Sequence, residues 1–525
     1  MLSKGLLKKI SKKHVILISV LVLALIIRII LAFYVDNLSY DSYYHIRQVE
    51  HISETGLPDY EDSLSYGGRS LRFLPFFYYF SALIFMIFPF SAEVDALLLG
   101  NVLFVCLAVV VYLISKNITR NNYAPLISAT IAAFLPITFQ TNSFTPMPFS
   151  LLLIFLALFF FLDFNLSRKK KQLYLFLITL ILLLFSSSLT AILVISLISY
   201  ILIANLNDKK PSSAELELSL FSLFIFLWSQ FIFFKEIFLS SGISFIWQNI
   251  PYPIINQYFP KISIIDSLIL LGIVPFLAAL YLIYTNIFEE SNQKMFLMFC
   301  IAISTTILAW FRLVEFQTAL TFLGLILAIL FSPFYEDLVN YYKKTKLSTI
   351  EKKAKRIKKL TRFKTYLGLI TILVLLPSLI IPAVSYSLSQ ETPTDDEIEC
   401  FKWLKVNGDG SSSQVALSNL KEGNLVTYYS DMKNLMDDQF NLIPDIEQRF
   451  KDLNSMYISK FQTQVIGLAD NYGIKYIILT ESSKKLYGIE DLSYTDNDCF
   501  ELMYNEGGNR IYKLICTLNN NGNNN

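Results

Sequence analysis

Charge is what this chain has least of: only 16% of its 525 residues are charged, and the two signs balance to a formal +2. So little charge beside 54% hydrophobic residues excludes an ordinary soluble protein. The near-neutral balance gives no footprint for a polyanion, so no nucleic-acid partner is expected. No clear small-residue cleavage site follows the first apolar run, 15–34, which is also too long for a signal-peptide core; it reads as a retained anchor. Paired repeats and broken midplane helices carrying charge are not evident either, which argues against a transporter or flippase.

What the sequence does have is apolar length. Long runs recur from Val15 to Tyr386, many close to the ~20 residues that cross a bilayer. About eleven are read as spans: 15–34, 96–115, 124–140, 149–164, 172–186, 189–204, 216–234, 266–286, 294–311, 315–332 and 364–386. From about Gln390 the chain turns polar and is long enough for one globular domain. The expected fold is an α-helical polytopic membrane domain over 1–389 and a small extracytoplasmic α/β domain over 390–518. The asparagine-rich tail 519–525 is expected to be disordered.

Basic residues set the orientation. Lys4, Lys8, Lys9, Lys12 and Lys13 place the N-terminus in the cytoplasm. Phe73 to Ala92 is as apolar as a span, but counting it as one would put Arg168 to Lys171, Lys209-Lys210 and Lys343 to Arg362 outside. It is therefore expected to lie along the outer face as an interfacial helix, with Pro75, Pro89 and a run of aromatics. The segments 35–95, 141–148, 187–188, 235–265, 312–315 and everything after 387 then face outward. The basic stretch 343–362 rests on the inner leaflet. The sequons at Asn117 and Asn165 fall inside and are expected to stay unglycosylated.

The densest chemistry lies just after the first span, from Asp36 to His51. Asp41 opens a predicted helix that Gly56 closes, with Pro58 beyond. Helical spacing puts Asp41, His45 and Gln48 on one face, Tyr43 and Arg47 on another. A carboxylate beside an imidazole suits metal ligation or proton abstraction; equally, Asp41 reads as a plain N-cap and His45 as a surface residue. Further on, Ser65-Tyr-Gly-Gly-Arg69-Ser-Leu-Arg72 pairs glycines with arginines, a backbone that approaches a ligand closely beside cations suited to phosphate. Plain loops also look like this. Arg312 and Glu315 interrupt apolar sequence at a membrane edge, either as functional charges or as a salt bridge closing a turn. Arg28, deep in the first span, is expected to snorkel or to pair with a buried acid. Residues 242–251 read either as a substrate-covering loop or as membrane-surface padding.

In the soluble part, helices are predicted at 395–406, 445–456 and 460–472, and strands at 414–418, 425–429 and 475–480. The stretch from Cys499 to Cys516 reads as a hairpin about Gly507-Gly508; equal counting from the turn sets the two cysteines opposite one another, where a disulfide is permitted. Cys400 is then left unpaired.

Asp41-Ser-Tyr-Tyr-His45-Ile-Arg47, with His51-Ile-Ser-Glu-Thr-Gly56-Leu-Pro58 and Leu64-Ser-Tyr-Gly-Gly-Arg69, resembles the first acidic motif of oligosaccharyltransferase catalytic subunits, especially the archaeal ones. These are GT-C membrane glycosyltransferases using lipid-phosphate-linked sugars on the outer face. The resemblance covers roughly residues 1–140 and beyond that is only architectural. It implies that Asp41 is the metal-binding, acceptor-facing carboxylate, with His45 and Arg47 in support. A divalent cation, Mg or Mn, would be bound by Asp41 with His45 and a donor pyrophosphate completing its shell, or Asp41 would work without metal as a general base. Arg69, Arg72 and Arg312 would lie near the donor phosphate. The implied partners are a polyprenyl-phosphate-linked sugar donor, a protein or glycan acceptor, and membrane lipid. The next outward loop, Gln140 to Pro148, lacks the family's second carboxylate, and Trp403 is the soluble domain's only tryptophan, so the acceptor motif is missing. These departures leave open a catalytically silent relative that binds lipid-linked glycans or assists a true transferase.

Overall fold

The computed structural model describes residues 12–70, 73–206, 211–242, 254, 262–288, 293–345, 353–408, 413–439, 445–495 and 498–517. Arg72, most of the loop 243–261 and the tail 518–525 lie outside them.

The N-terminal part is helical. In chain order it contains α1 (Lys12–Val35), α2 (Ser42–Thr55), the short pair β1 (Glu61–Asp62) and β2 (Arg69–Ser70), α3 (Phe76–Ile87), α4 (Ala92–Ile118), α5 (Ala124–Ala133), α6 (Met147–Ser167) and α7 (Lys170–Leu184). There follow α8 (Thr190–Leu206), α9 (Ser213–Ser241), α10 (Ile264–Leu271), α11 (Ile273–Phe288), α12 (Gln293–Trp310), α13 (Phe316–Thr345) and α14 (Lys353–Leu388). By length and composition, five described helices can cross a bilayer on their own: α1, α4, α6, α9 and α13. A sixth span forms if the bent pair α10–α11 counts as one. Apolar side chains such as Val22, Ile30, Phe224 and Trp228 remain exposed on them, the pattern of helices solvated by lipid.

Helix α3 has 12 residues, about 18 Å at 1.5 Å per residue, well short of a ~30 Å hydrocarbon core. Two of the expected spans are broken within the structure. The run 124–140 stops being α-helical at Ala133, because Pro136 takes over in a 3₁₀ turn, Pro136–Thr138. The run 266–286 bends by 88° at Gly272, whose φ of +81° favours glycine. Arg28 neither snorkels nor meets an acid. Buried, it donates to the Thr138 carbonyl at 2.8 Å and to Thr138 Oγ1 at 2.7 Å, with the Phe139 ring 4.1 Å from its guanidinium carbon.

The C-terminal part runs through α15 (Asp395–Asn407), β3 (Val415–Leu417), α16 (Gly423–Tyr429), β4 (Lys433–Asn434), α17 (Ile446–Ile458), α18 (Gln462–Tyr472), β5 (Ile474–Leu479), α19 (Glu481–Tyr487), β6 (Phe500–Glu506) and β7 (Asn509–Leu514). The sheet order is β4-β3-β5-β7-β6, parallel on the β4-β3-β5 side and antiparallel across β5-β7-β6. The expected strand at 425–429 is the helix α16. Its Tyr428 and Tyr429 rings pack against Tyr43 of α2, each 5.3 Å away, so a tertiary contact outweighs local β propensity. Cys499 and Cys516 form a disulfide, with their Cα atoms 4.9 Å apart. A bulge between Leu502 and Tyr504 shifts the hairpin by one residue, so Cys499 lies opposite Ile515 and the disulfide is diagonal, where equal counting put the cysteines face to face.

Candidate functional site

The site starts from the turn between α1 and α2. Asp36 reverses the chain with φ +65°, a left-handed conformation that aspartate tolerates. Helix α2 then begins, with Asp41 at its N-cap position and Gly56 closing it at φ +77°. Asp41 makes no side-chain cap bond, against the plainest reading of an aspartate there. It accepts instead from Ser39 Oγ at 2.5 Å and remains partly accessible. Burial raises the Asp41 carboxyl above the ordinary range, and the Ser39 bond opposes that shift.

The loop between α5 and α6 builds the floor beneath this turn. Asn142 Nδ2 donates to the carbonyls of Ala32 at 2.9 Å and Asn37 at 3.0 Å, while its own carbonyl accepts from Ser39 N at 2.8 Å. Phe144 N donates to Ser42 Oγ at 2.9 Å. Gly100 of α4 lets the loop approach, since a Cβ there would lie 3.0 Å from the Ser143 carbonyl. Asn142 is thus a buried brace for the turn that carries Asp41.

The short connection from α12 to α13 comes within electrostatic reach of Asp41. Arg312 and Glu315 make no ion pair with each other, so the salt-bridge reading of this turn does not hold. Arg312 is exposed in a left-handed conformation, φ +57°. Glu315 is solvent-accessible at its rim yet enclosed by protein. Burial first, and then the charge of Asp41, raises its carboxyl. Thr318 Oγ1 donates to Glu315 Oε2 at 3.3 Å, and nearby Gln317 Nε2 donates to the Tyr386 hydroxyl at 2.5 Å. The carboxylates of Asp41 and Glu315 therefore sit within electrostatic reach of one another.

The other residues singled out by sequence go elsewhere. His45 is buried, with Nδ1 2.9 Å from the Tyr78 hydroxyl, and burial pushes its pKa down to about 3, so it is a neutral link from α2 to α3. Arg47 ion-pairs with buried Asp62 at 2.8 Å and ties α2 to β1. Arg69 lies in β2, paired with Asp62 of β1 across the ladder. Arg72 lies outside the described residues. Among the described residues, no three His, Cys, Asp or Glu side chains gather to hold a metal ion. Asp41 and Glu315, within electrostatic reach of one another, are the carboxylates a divalent cation would draw on, with substrate phosphates completing its shell. Glu315 is the carboxylate that sequence reading did not put with Asp41. Its charge in a membrane-edge turn was the available signal, but nothing in the spacing points to its partner.

The fold has solved relatives. Over 88% of this chain and 69% of the other, it matches the archaeal oligosaccharyltransferase AglB from Archaeoglobus fulgidus in complex with an inhibitory peptide and a dolichol-phosphate, with a TM-score of 0.63 and 15% identity. Over 94% of this chain and 97% of the other, it matches ArnT from Cupriavidus metallidurans, with a TM-score of 0.55 and 11% identity. ArnT bound to undecaprenyl phosphate matches with a TM-score of 0.54 and 10% identity over 95% and 97% of the two chains. No protein-family pattern matches the sequence, and no curated protein matches it. The chain has the fold of GT-C glycosyltransferases: a multi-pass helical membrane domain with a small mixed-sheet domain after it.

Proposed function

We propose that this chain is a membrane glycosyltransferase moving a sugar or oligosaccharide from a polyprenyl-phosphate-linked donor to an acceptor on the outer membrane face. The observation that carries this reading is the Asp41 carboxylate at an N-cap position, making no side-chain cap bond, partly accessible and within electrostatic reach of Glu315. A carboxyl with a raised pKa is a stronger base, suited to taking the proton of an acceptor hydroxyl or amide. As that proton passes to Asp41, the acceptor heteroatom bonds to the sugar's anomeric carbon and the bond to the polyprenyl phosphate breaks. The leaving phosphate gains charge, which exposed Arg312 would offset. A divalent cation held by Asp41 and Glu315 would supply further charge neutralisation on that phosphate. Tyr60, Phe73, Phe233, Phe234, Lys235 and Glu236 line an open cleft of about 330 Å³ between the first outward loop and the end of α9. Its aromatic walls and a lysine at the edge suit a lipid with an anionic head. The cytoplasmic N-terminus and extracytoplasmic C-terminal domain follow from the distribution of basic residues.

The buried amide of Asn142, where a second carboxylate would be expected, favours a second reading as a silent glycan-lipid-binding relative. One experiment separates the two. Full-length protein in nanodiscs is incubated with radiolabelled polyprenyl-phosphate and polyprenyl-pyrophosphate sugars and an acceptor panel, with and without chelator, beside Asp41→Asn. Label transfer that disappears in the variant supports the enzyme; lipid binding with no turnover at any cation supports the silent relative.

A further inference from the structure

Tyr40, the residue just before Asp41, turns away from the membrane domain and into the soluble one. Its ring is buried, and its hydroxyl donates to Glu397 Oε2 at 3.0 Å. Glu397 belongs to the capping box of α15: Thr394 N donates to the same Oε2 at 3.1 Å, and the Thr394 side chain accepts from Glu397 N. Its other oxygen accepts from Ser482 N, the first turn of α19, at 3.1 Å. One carboxylate thus joins the turn carrying Asp41 to two separate elements of the soluble domain. A second grip lies three residues earlier, where Asn37 Nδ2 donates to the Pro393 carbonyl at 3.1 Å and to Asp395 Oδ1 at 2.7 Å. Burial, followed by the charges of Glu397 and Glu422, raises the Tyr40 hydroxyl far above its ordinary value, so it stays a donor.

We infer that Tyr40 and Glu397 are positioning residues, through which the soluble domain sets the placement of Asp41 in the membrane domain. The inference rests on the reading of Asp41 as the acceptor-facing carboxylate. The chain of contact is short: Glu397 is fixed by two backbone amides, Tyr40 by Glu397, and Asp41 by its peptide bond to Tyr40. Losing the phenol hydroxyl leaves Glu397 with both backbone donors and the ring with its burial, so the loss falls on the turn.

The test uses full-length protein in nanodiscs, with Tyr40→Phe, Glu397→Gln and the double variant. Two quantities are read: kcat against KM for a polyprenyl-linked sugar, and hydrogen–deuterium exchange of 37–42 against strand 474–479. In Tyr40→Phe, kcat is expected to fall about tenfold or more with donor KM nearly unchanged, since small displacements of a reacting group cost rate rather than binding. Exchange across 37–42 should rise while 474–479 stays protected. The double variant should lose no more than the worse single one. Unchanged exchange in Tyr40→Phe overturns the inference, as does faster exchange with full kcat. If the wild type transfers no sugar at all, the glycosyltransferase reading fails by itself. The exchange data then still decide the clamp: a rise at 37–42 supports it and its absence overturns it.

Discussion

The chain contains two carboxylate pairs in contrasting surroundings. Asp41 and Glu315 keep access to solvent, with Ser39 Oγ donating to the first and Thr318 Oγ1 to the second. Glu397 and Glu422 are sealed in the soluble domain, at 2% and 0% exposure. Thr480, Ser483, Ser482 N, Thr394 N and Tyr40 supply their hydrogen bonds. Both environments raise a carboxyl, so a shifted pKa does not tell them apart. Access and unused hydrogen-bonding capacity do. A carboxylate saturated by protein donors has a structural role; one left open has room for a substrate or an ion.

The sharpest way to break that contrast is Asp41→Asn, which removes the base and keeps the shape. Transfer is expected to fall by about 10³-fold or more, within the range of lost general-base catalysis, while the protein stays folded by circular dichroism. Near-wild-type turnover would place the base elsewhere. Glu315→Gln should cost less, roughly 10- to 100-fold, and raise the cation concentration needed for half-maximal rate, as expected of a ligand or its support. A cation response identical to wild type would detach Glu315 from the site.

The sealed pair predicts a pH effect on stability instead. Burial, and then Glu397, pushes Glu422 up to about 8 from an ordinary value near 4.5. The folded state therefore holds this proton more tightly than the unfolded one. Its contribution to stability is fully present below about pH 4.5, declines as pH rises toward 8, and levels off above that, by on the order of a few kcal/mol. Thermal melts of the full chain should drop over this window, and Glu422→Gln should flatten the drop; equal slopes would move the proton to another group. The smallest effect is expected at the rim. Arg312→Gln should raise donor KM by about tenfold or less, because an exposed cation acts through solvent-screened charge. A fall in kcat at constant KM would give Arg312 a role confined to the transition state.

Some of this was legible in the sequence for local reasons. Helix α2 follows from the Asp41 and Gly56 boundary signals, and β5 from an apolar run after a glycine-capped helix, because both depend on neighbours in the chain. Asp41 stood out for the same reason. Residues whose roles need a distant partner did not. Arg28 carried no sign that it would meet the Thr138 turn, nor Asn142 that it would brace the Asp41 turn. Segment 425–429 looked like a strand because Val, Thr and Tyr favour one locally; packing on Tyr43 made it helix α16.

The sequence by itself determined the partition into lipid-solvated helices and a polar domain, the limits of α2, and the cysteine-flanked hairpin. Hydrophobic periodicity, caps and turn residues act over a few positions and are written in order. Only the tertiary structure decided that Glu315 comes within electrostatic reach of Asp41, that His45 and Arg47 are occupied by Tyr78 and Asp62, and that Glu397 reaches Tyr40. Those pairings join residues far apart in the chain, and no local rule fixes which distant side chains folding will bring together.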